Sequence, residues 1–238
     1  MVLGQRKTAA KSNEITAIPA LLEVLALKGC IVTLDAMGCQ REMAAQIRAQ
    51  QADYVLAVKK NQGVLHEEIT EFFQVAHQDG GQRLPCAYPE ETDAGHGRVE
   101  VRRYWQSDDL SVLSRRAEWQ DVKSIGMTES ERHVGTNVTV ERRYSISSLP
   151  LNGEVFGQAV RRHWGVENSL HWVLDVTYRE DESRVRRGHA AENLRSLRRL
   201  TLNLLKPETT CKTSQKQKRQ RAGWDDAYRE TVLFGRSL

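Results

Sequence analysis

The feature that most constrains the fold is the run Ile31, Val32, Thr33 and Leu34, ended by Asp35 and a small-residue turn, in "CIVTLDAMGC". Four apolar or β-branched residues in a row predict a strand buried on both faces, the kind that parallel sheets contain. Upstream, residues 2–5 read as the end of another strand. Ser12 and Asn13 offer cap chemistry, Pro19 suits a first helical turn, and "PALLEVLALKG" reads as a helix closed by Gly29. Downstream, "QREMAAQIRAQ" places Met43, Ile47 and the alanines on one helical side, and "DYVLAVKK" reads as a second buried strand. Strand alternating with helix is the signature of an α/β layer with a parallel sheet. Such sheets bind ligands beyond the carboxyl ends of their strands, which is where Asp35 falls. The alternative for Asp35 is a local role, capping its turn or the next helix.

After a helix predicted near residues 64–76, composition shifts. "QDGGQRLPCAYPEETDAGHGR" is rich in Gly, Pro and polar residues and reads as a linker. "RVEVRRYW" and "NVTVERRYSISSL" then alternate at period two, the pattern of antiparallel strands with one wet face. A β-rich piece is therefore expected to interrupt the α/β layer. Helix resumes at Val155 in "VFGQAVRRHWGVENSLHWVLDV", where Val160, Trp164, Leu170 and Leu174 form an apolar stripe that also contains Glu167. A carboxylate on a buried face is costly unless a positive group meets it. Either an arginine pairs with it or a metal ion does. His163 and His171 flank Glu167 at helical spacing, so a zinc site is a further possibility, although no H-E-x-x-H signature is present.

With 238 residues, 39% of them hydrophobic, the chain can build a real core. The richest apolar run, from Ile18 to Leu34, is broken by Pro19, Glu23 and Lys28, so no membrane span is expected. The opening "MVLGQRKTAAK" lacks the order of a secretory leader. Cys30, Cys39, Cys86 and Cys211 show neither a C-x-x-C pair nor zinc spacing, and reduced thiols in a cytoplasmic protein are the economical reading. The net charge is only +4, but "RVRRGHAAENLRSLRRL" and "KPETTCKTSQKQKRQR" concentrate positive charge. Those blocks point to a polyanion, most simply nucleic acid. The first is read as a basic helix carrying Arg184, Arg186, Arg187, Arg195, Arg198 and Arg199. Thr209–Arg221 is read as a flexible arm, and "WDDAYRETVLF" as a short helix after it.

In the order "KSNEITAIPALLEVLALKGCIVTLDAMGCQ", "DYVLAVKKNQ", "GHGRVEVRRYW" and "HWGVENSLHWVLDVTYREDESRVRRGHAAENLRSLRRLTLNLLK", the chain closely resembles insertion-sequence transposases of the ISAs group, the H-repeat-associated proteins. The resemblance spans residues 1 to about 206. It implies a DDE transposase of α/β class: a ribonuclease H-like core lacking its first strands, with a β-rich insertion and C-terminal helices. The expected division is 1–85 for the first part of the core, 86–150 for the insertion, 151–206 for the core helices bearing the last acid, and 207–238 for a basic tail.

The resemblance also implies a site. Asp35 corresponds to the second acid of the triad and Glu167 to the third, holding two Mg²⁺ (or Mn²⁺) ions for DNA strand cleavage and transfer. Related transposases carry an aromatic residue and an arginine one to two turns before the Glu, where this chain has Val160 and His163. Arg161 and Arg162 are then the expected phosphate grips, with His163 beside them. Lys59, Lys60 and Asn61, following the second buried strand, are expected on the DNA backbone, as are Arg184, Arg186 and Arg187. The first acid lies in an Asp-Gly-Lys context on the family's opening strand. No aspartate precedes Asp35 here, and Glu14 and Glu23 lie on or beside the first helix. An N-terminally truncated transposase with little strand cleavage of its own is therefore expected. Its partners would be element-end and target DNA, a second copy, or a full-length transposase. Two other functions remain open at this point: a DNA-binding regulatory fragment without catalysis, and a zinc-dependent hydrolase using His163, Glu167 and His171.

Overall fold

The computed structural model describes residues 14–78, 86–95, 98–166 and 170–235. They fall into two compact units, residues 14–163 and residues 164–235. The strand expected at residues 2–5 lies outside the described residues.

The larger unit is built on one six-stranded sheet, in the order β1-β2-β6-β5-β4-β3. Here β1 is Ile31–Leu34, β2 Asp53–Val58, β3 Cys86–Gly95, β4 Arg98–Ser107, β5 Ser124–Val134 and β6 Asn137–Ser147. β1 and β2 are parallel, with Ile31 opposite Asp53 and Leu34 opposite Leu56, as the alternation predicted. The helix between them, α2 (Arg41–Ala49), buries Met43, Ala44 and Ile47 on the expected face. The preceding helix, α1 (Ile18–Val24), stops well short of Gly29. Leu25 turns extended so that Leu27 enters the core, and Gly29, at φ +74°, serves a turn whose N–H bonds Gln51.

In chain order the β-rich segment follows the first helices as expected, and in space it extends the same sheet. β6 pairs antiparallel with β2, Val55 opposite Ser147 and Val58 opposite Tyr144. Buried serines fasten this seam. Ser148 Oγ accepts the Tyr54 N–H at 2.9 Å and donates to Asp53 Oδ1 at 2.8 Å, and Ser147 Oγ donates to the Tyr54 carbonyl at 2.8 Å. The stretch read as a linker is largely β3, whose pairing with β4 shifts register between Tyr88 and Glu91, around Pro89. Proline is tolerated there because β3 is an edge strand and a bulge needs no ladder donor. One wet face is also too simple for these strands. Their inner ends, such as Ser124–Glu129 and Tyr144–Ser147, are buried, while Thr139–Glu141 are exposed. Ion pairs hold the outer ends: Arg103 meets Glu90 and Glu131 at 2.8 Å each, and Arg142 meets Glu129 at 2.8 Å.

Apolar cores form on both faces of the sheet. One joins Tyr54, Leu56 and Val58 of β2 with Ile47 of α2 and with Leu65, Ile69 and Phe73 of α3 (Gly63–Gln78). The other joins Val55 and Tyr104 with Phe156 and Ala159 of α4 (Gly153–Val166), Val160 packing at its margin. A flat sheet of six strands spaced about 4.8 Å apart would hold its edges about 24 Å from each other. Yet the last turns of α4 reach both edges: His163 Nδ1 lies 2.9 Å from Thr33 Oγ1 on β1, and Arg161 lies 3.5 Å from Glu91 and Asp93 on β3. The sheet is therefore curled around α4.

The smaller unit contains α5 (Trp172–Tyr178), α6 (Ala190–Leu205), α7 (Gln215–Trp224) and α8 (Asp226–Phe234). Its core is Leu174, Tyr178 and Leu202, with Leu170 and Val173 against them. The stripe expected along one long helix is thus shared between two cores, Val160 in one and Leu170 and Leu174 in the other. The expected flexible arm is ordered through α7. Its N-terminus carries a capping box in which Ser214 and Gln217 satisfy each other's backbone N–H. Asp225 caps α8 in the same way, accepting the Tyr228 N–H. No described helix is long and apolar enough to cross a membrane.

Close packing of α4 on the sheet rests on Gly126, where a Cβ would come within 2.2 Å of Phe156 Cζ. Gly126→Ala is expected to lower the unfolding free energy by about 1–3 kcal/mol, as overpacking does. Chemical denaturation followed by tryptophan fluorescence measures it, and a wild-type midpoint would contradict the packing.

Candidate active site and nucleic-acid interface

Asp35 is the first residue beyond β1, at the carboxyl end of the parallel pair. Its Oδ1 accepts the N–H groups of Met37 and Gly38 at 3.1 and 3.2 Å, so the capping role is real. The side chain nevertheless remains exposed. The turn demands Gly38, since a Cβ there would stand 2.9 Å from Leu34 Cβ. The connection after β2 braces this turn: Asn61 Nδ2 donates to the Ala36 carbonyl at 2.7 Å and Gln62 Nε2 to the Cys39 carbonyl at 2.8 Å. Asn61, expected on the DNA backbone, thus spends its amide on the Asp35 loop. Lys59 and Lys60, immediately before it, are exposed at the same strand ends.

The opposite contribution comes from α4. His163 bonds Thr33 across 2.9 Å, Arg161 faces the carboxylates of Glu91 and Asp93, and Arg162 is exposed. Glu167 lies outside the described residues. Among the described residues no three His, Cys, Asp or Glu side chains cluster as a metal site, and one ring nitrogen of His163 is already engaged with Thr33. His171 immediately precedes α5 and is exposed.

The basic blocks divide into free and spent charge. Arg184, Arg186 and Arg187 are exposed, but in the connection before α6 and not on a helix. Arg186 Nη1 donates to the carbonyls of Ser183 and Val185, which fixes the shape of that connection. Arg195 and Arg199 of α6 converge on Glu180 at 3.4 and 3.1 Å. In α7, Arg219 lies over the Tyr178 ring and Arg221 over the Tyr228 ring, while Lys218 is buried against Glu208. Much of the second block therefore holds the smaller unit together. Thr33, Glu91 and Asp93 were not legible as site residues, because their relevance depends on the curl of the sheet.

The family described as "Transposase DDE domain" matches residues 1–204. The chain belongs to the DDE transposase family. It is 40% identical over its whole length to the Escherichia coli K12 protein YbfL, covering 64% of that protein. It is 42% identical over 98% of its length to YncI of Escherichia coli O157:H7, named for a transposase, covering 60% of it. It is 39% identical over its whole length to YhhI of Escherichia coli K12, named as an H repeat-associated transposase, covering 64% of it. The chain thus spans 60 to 64% of these relatives' lengths. The family assignment agrees with the resemblance drawn from the residues.

One strongly shifted acid belongs to the smaller transposase unit's architecture. Burial pushes the Glu208 carboxyl up, but hydrogen bonds from Thr210 and Tyr228 and the charge of Lys218 outweigh it and hold the pKa at about 2, from 4.5. A depressed carboxylate pKa stabilises the fold fully above the ordinary value and loses that contribution as pH falls through the depressed one. Helical circular dichroism under mild denaturant should therefore decline as pH drops from 4.5 towards about 2. Glu208→Gln should be destabilised at neutral pH and flatter over that window; an unchanged slope would exclude Glu208 as the source.

Proposed function

We propose that this chain carries two of the carboxylates of a metal-dependent DNA strand transferase: Asp35 at the end of β1 and Glu167, four residues after His163 in the sequence. The reading is supported above all by the Thr33–His163 hydrogen bond. Thr33 stands two residues before Asp35, and His163 stands four residues before Glu167 in the sequence, so the contact joins the strand leading to Asp35 to the helix that precedes Glu167 in the chain. Membership of the DDE transposase family supports that role for them. On this reading β1, β2 and α4 form the part of a ribonuclease H-like core nearest the site.

The donor chemistry suits the ion. Asp35 is an exposed carboxylate, with Oδ1 oriented by two backbone N–H groups, and all-oxygen ligation with open water positions fits Mg²⁺ or Mn²⁺. When bound, such a metal pair lowers the barrier to attack on a phosphodiester by water or a DNA 3′-hydroxyl and steadies the departing oxygen. The chain's own residues have separate tasks. The Gly38 turn and the Asn61 brace hold Asp35 at the strand end, and the His163 contact fixes the last turn of α4. Lys59, Lys60 and Arg162 offer exposed cations to the DNA backbone. The exposed Arg184, Arg186 and Arg187 support a second reading, in which the chain occupies DNA without cutting it.

The purified chain is expected to bind Mn²⁺, measured by electron paramagnetic resonance, with Asp35→Asn and Glu167→Gln each reducing the binding several-fold, and any Mg²⁺- or Mn²⁺-dependent nicking of supercoiled DNA should be lost in both variants. Metal binding indifferent to both substitutions would overturn the site assignment. Salt-sensitive DNA binding with no metal-dependent step would favour the second reading.

A further inference from the structure

Arg161 is arranged differently from the other cations near the site. Its Nε lies 3.5 Å from Glu91 Oε2 and its Nη2 lies 3.5 Å from Asp93 Oδ2. The two acids stand two positions apart on edge strand β3, just past its register shift, so both project to the same side of the strand. Tyr104 Oη donates to the same Glu91 oxygen at 3.1 Å. The guanidinium thus meets two separate carboxylate oxygens through two of its nitrogens, the pattern in which a guanidinium grips phosphate.

These contacts are long for charge-assisted hydrogen bonds, which close to about 2.7–2.9 Å. They are also wet: the Arg161 side chain is 38% exposed and Asp93 62%. Exposed ion pairs of this kind contribute little to stability. The pairing is easily exchanged for a better anion.

We propose that Glu91 and Asp93 are phosphate surrogates: they hold Arg161 extended in the free protein and yield it to a DNA phosphodiester when the backbone enters beside α4. The inference rests on the DNA reading above. Arg161 is the grip, and β3 is the guard that makes contact conditional on displacement. Binding of weaker anions is thereby suppressed, since only a polyanion with further contacts replaces both carboxylates. Among the described residues, the charged and titratable groups around Arg161 are Glu91 and Asp93 from β3 and, on β4, Tyr104, which bonds Glu91, and Arg102, which lies opposite Glu91 and is itself paired with Glu100.

The test uses the whole chain and a fluorescein-labelled 20-base-pair duplex of arbitrary sequence, with anisotropy read across a salt series. Arg161→Gln should weaken binding and lower the slope of log K against log salt by about one, the signature of one lost phosphate contact. Glu91→Gln combined with Asp93→Asn should tighten binding roughly three- to tenfold near 0.1 M salt. The tightening should shrink when Arg161 is also Gln, because no ion pair remains to be displaced. Equal tightening in both backgrounds would signify general charge repulsion and overturn the proposal. An unchanged affinity in the β3 variant, or an unchanged salt slope in Arg161→Gln, would overturn it as well. Failure of the unaltered chain to bind the duplex even at low salt would instead remove the DNA reading on which the proposal stands. Unfolding midpoints identify any variant that fails to fold. Single substitutions Glu91→Gln and Asp93→Asn, each expected to give part of the effect, then replace the pair.

Discussion

The larger unit depends on the seam between β2 and β6. On one side of it stands the parallel pair that ends at Asp35; on the other stand three long antiparallel strands. Only four residue pairs span it, Val55 to Val58 against Tyr144 to Ser147. The seam is reinforced by hydroxyls that have no access to water: Ser147 is fully buried and bonds the Tyr54 carbonyl, and Ser148, equally buried, bonds the Tyr54 N–H and Asp53. A buried polar group left without its partner costs about 1–3 kcal/mol, so these serines select this register against slipped ones. Asp53 is held in turn by Arg48, which also reaches Asp121 and thereby ties α2 and the β4–β5 connection to the same strand.

Joining the two halves into one sheet has a mechanical consequence. A continuous sheet can curl, and this one closes around α4 far enough for neighbouring turns of one helix to touch both edge strands. The helix is seated in the middle by Phe156 against Gly126 and at its end by His163 against Thr33. The two edges are thus contacted by side chains only two positions apart on one helix. In a DDE transposase this matters for Asp35, which follows β1 directly, on the strand that His163 contacts through Thr33. Loose ion pairs at the β3 edge and a direct hydrogen bond at the β1 edge leave the former the easier to open.

Positive charge is distributed less freely than its density suggests. Lys218, Arg219, Arg221, Arg195 and Arg199 are committed to acids or aromatic rings inside the smaller unit. Arg184, Arg186 and Arg187 remain exposed. A basic block is visible in any sequence, but whether it meets a polyanion or folds onto its own acids is decided by single residues such as Glu180, just before the first block, and Glu208, inside the second. The arm expected at Thr209–Arg221 became a helix for that reason: the Ser214 cap starts it and Lys218 anchors it.

Local pattern alone determined the parallel pair, the helix between its strands and the position of Asp35, while the family was read from the likeness of longer stretches to known transposases. Those features are written in neighbouring residues: an apolar run, a period near 3.6, a glycine where Leu34 leaves no room for a Cβ. Tertiary structure decided that the β-rich segment continues the sheet, that β3 runs through what composition marks as linker, and that Glu91 and Asp93 stand before Arg161. Each of these depends on pairing between segments far apart in the chain. Strand pairing is backbone chemistry with almost no residue code, so only the closing of the sheet around α4 selects which edges meet.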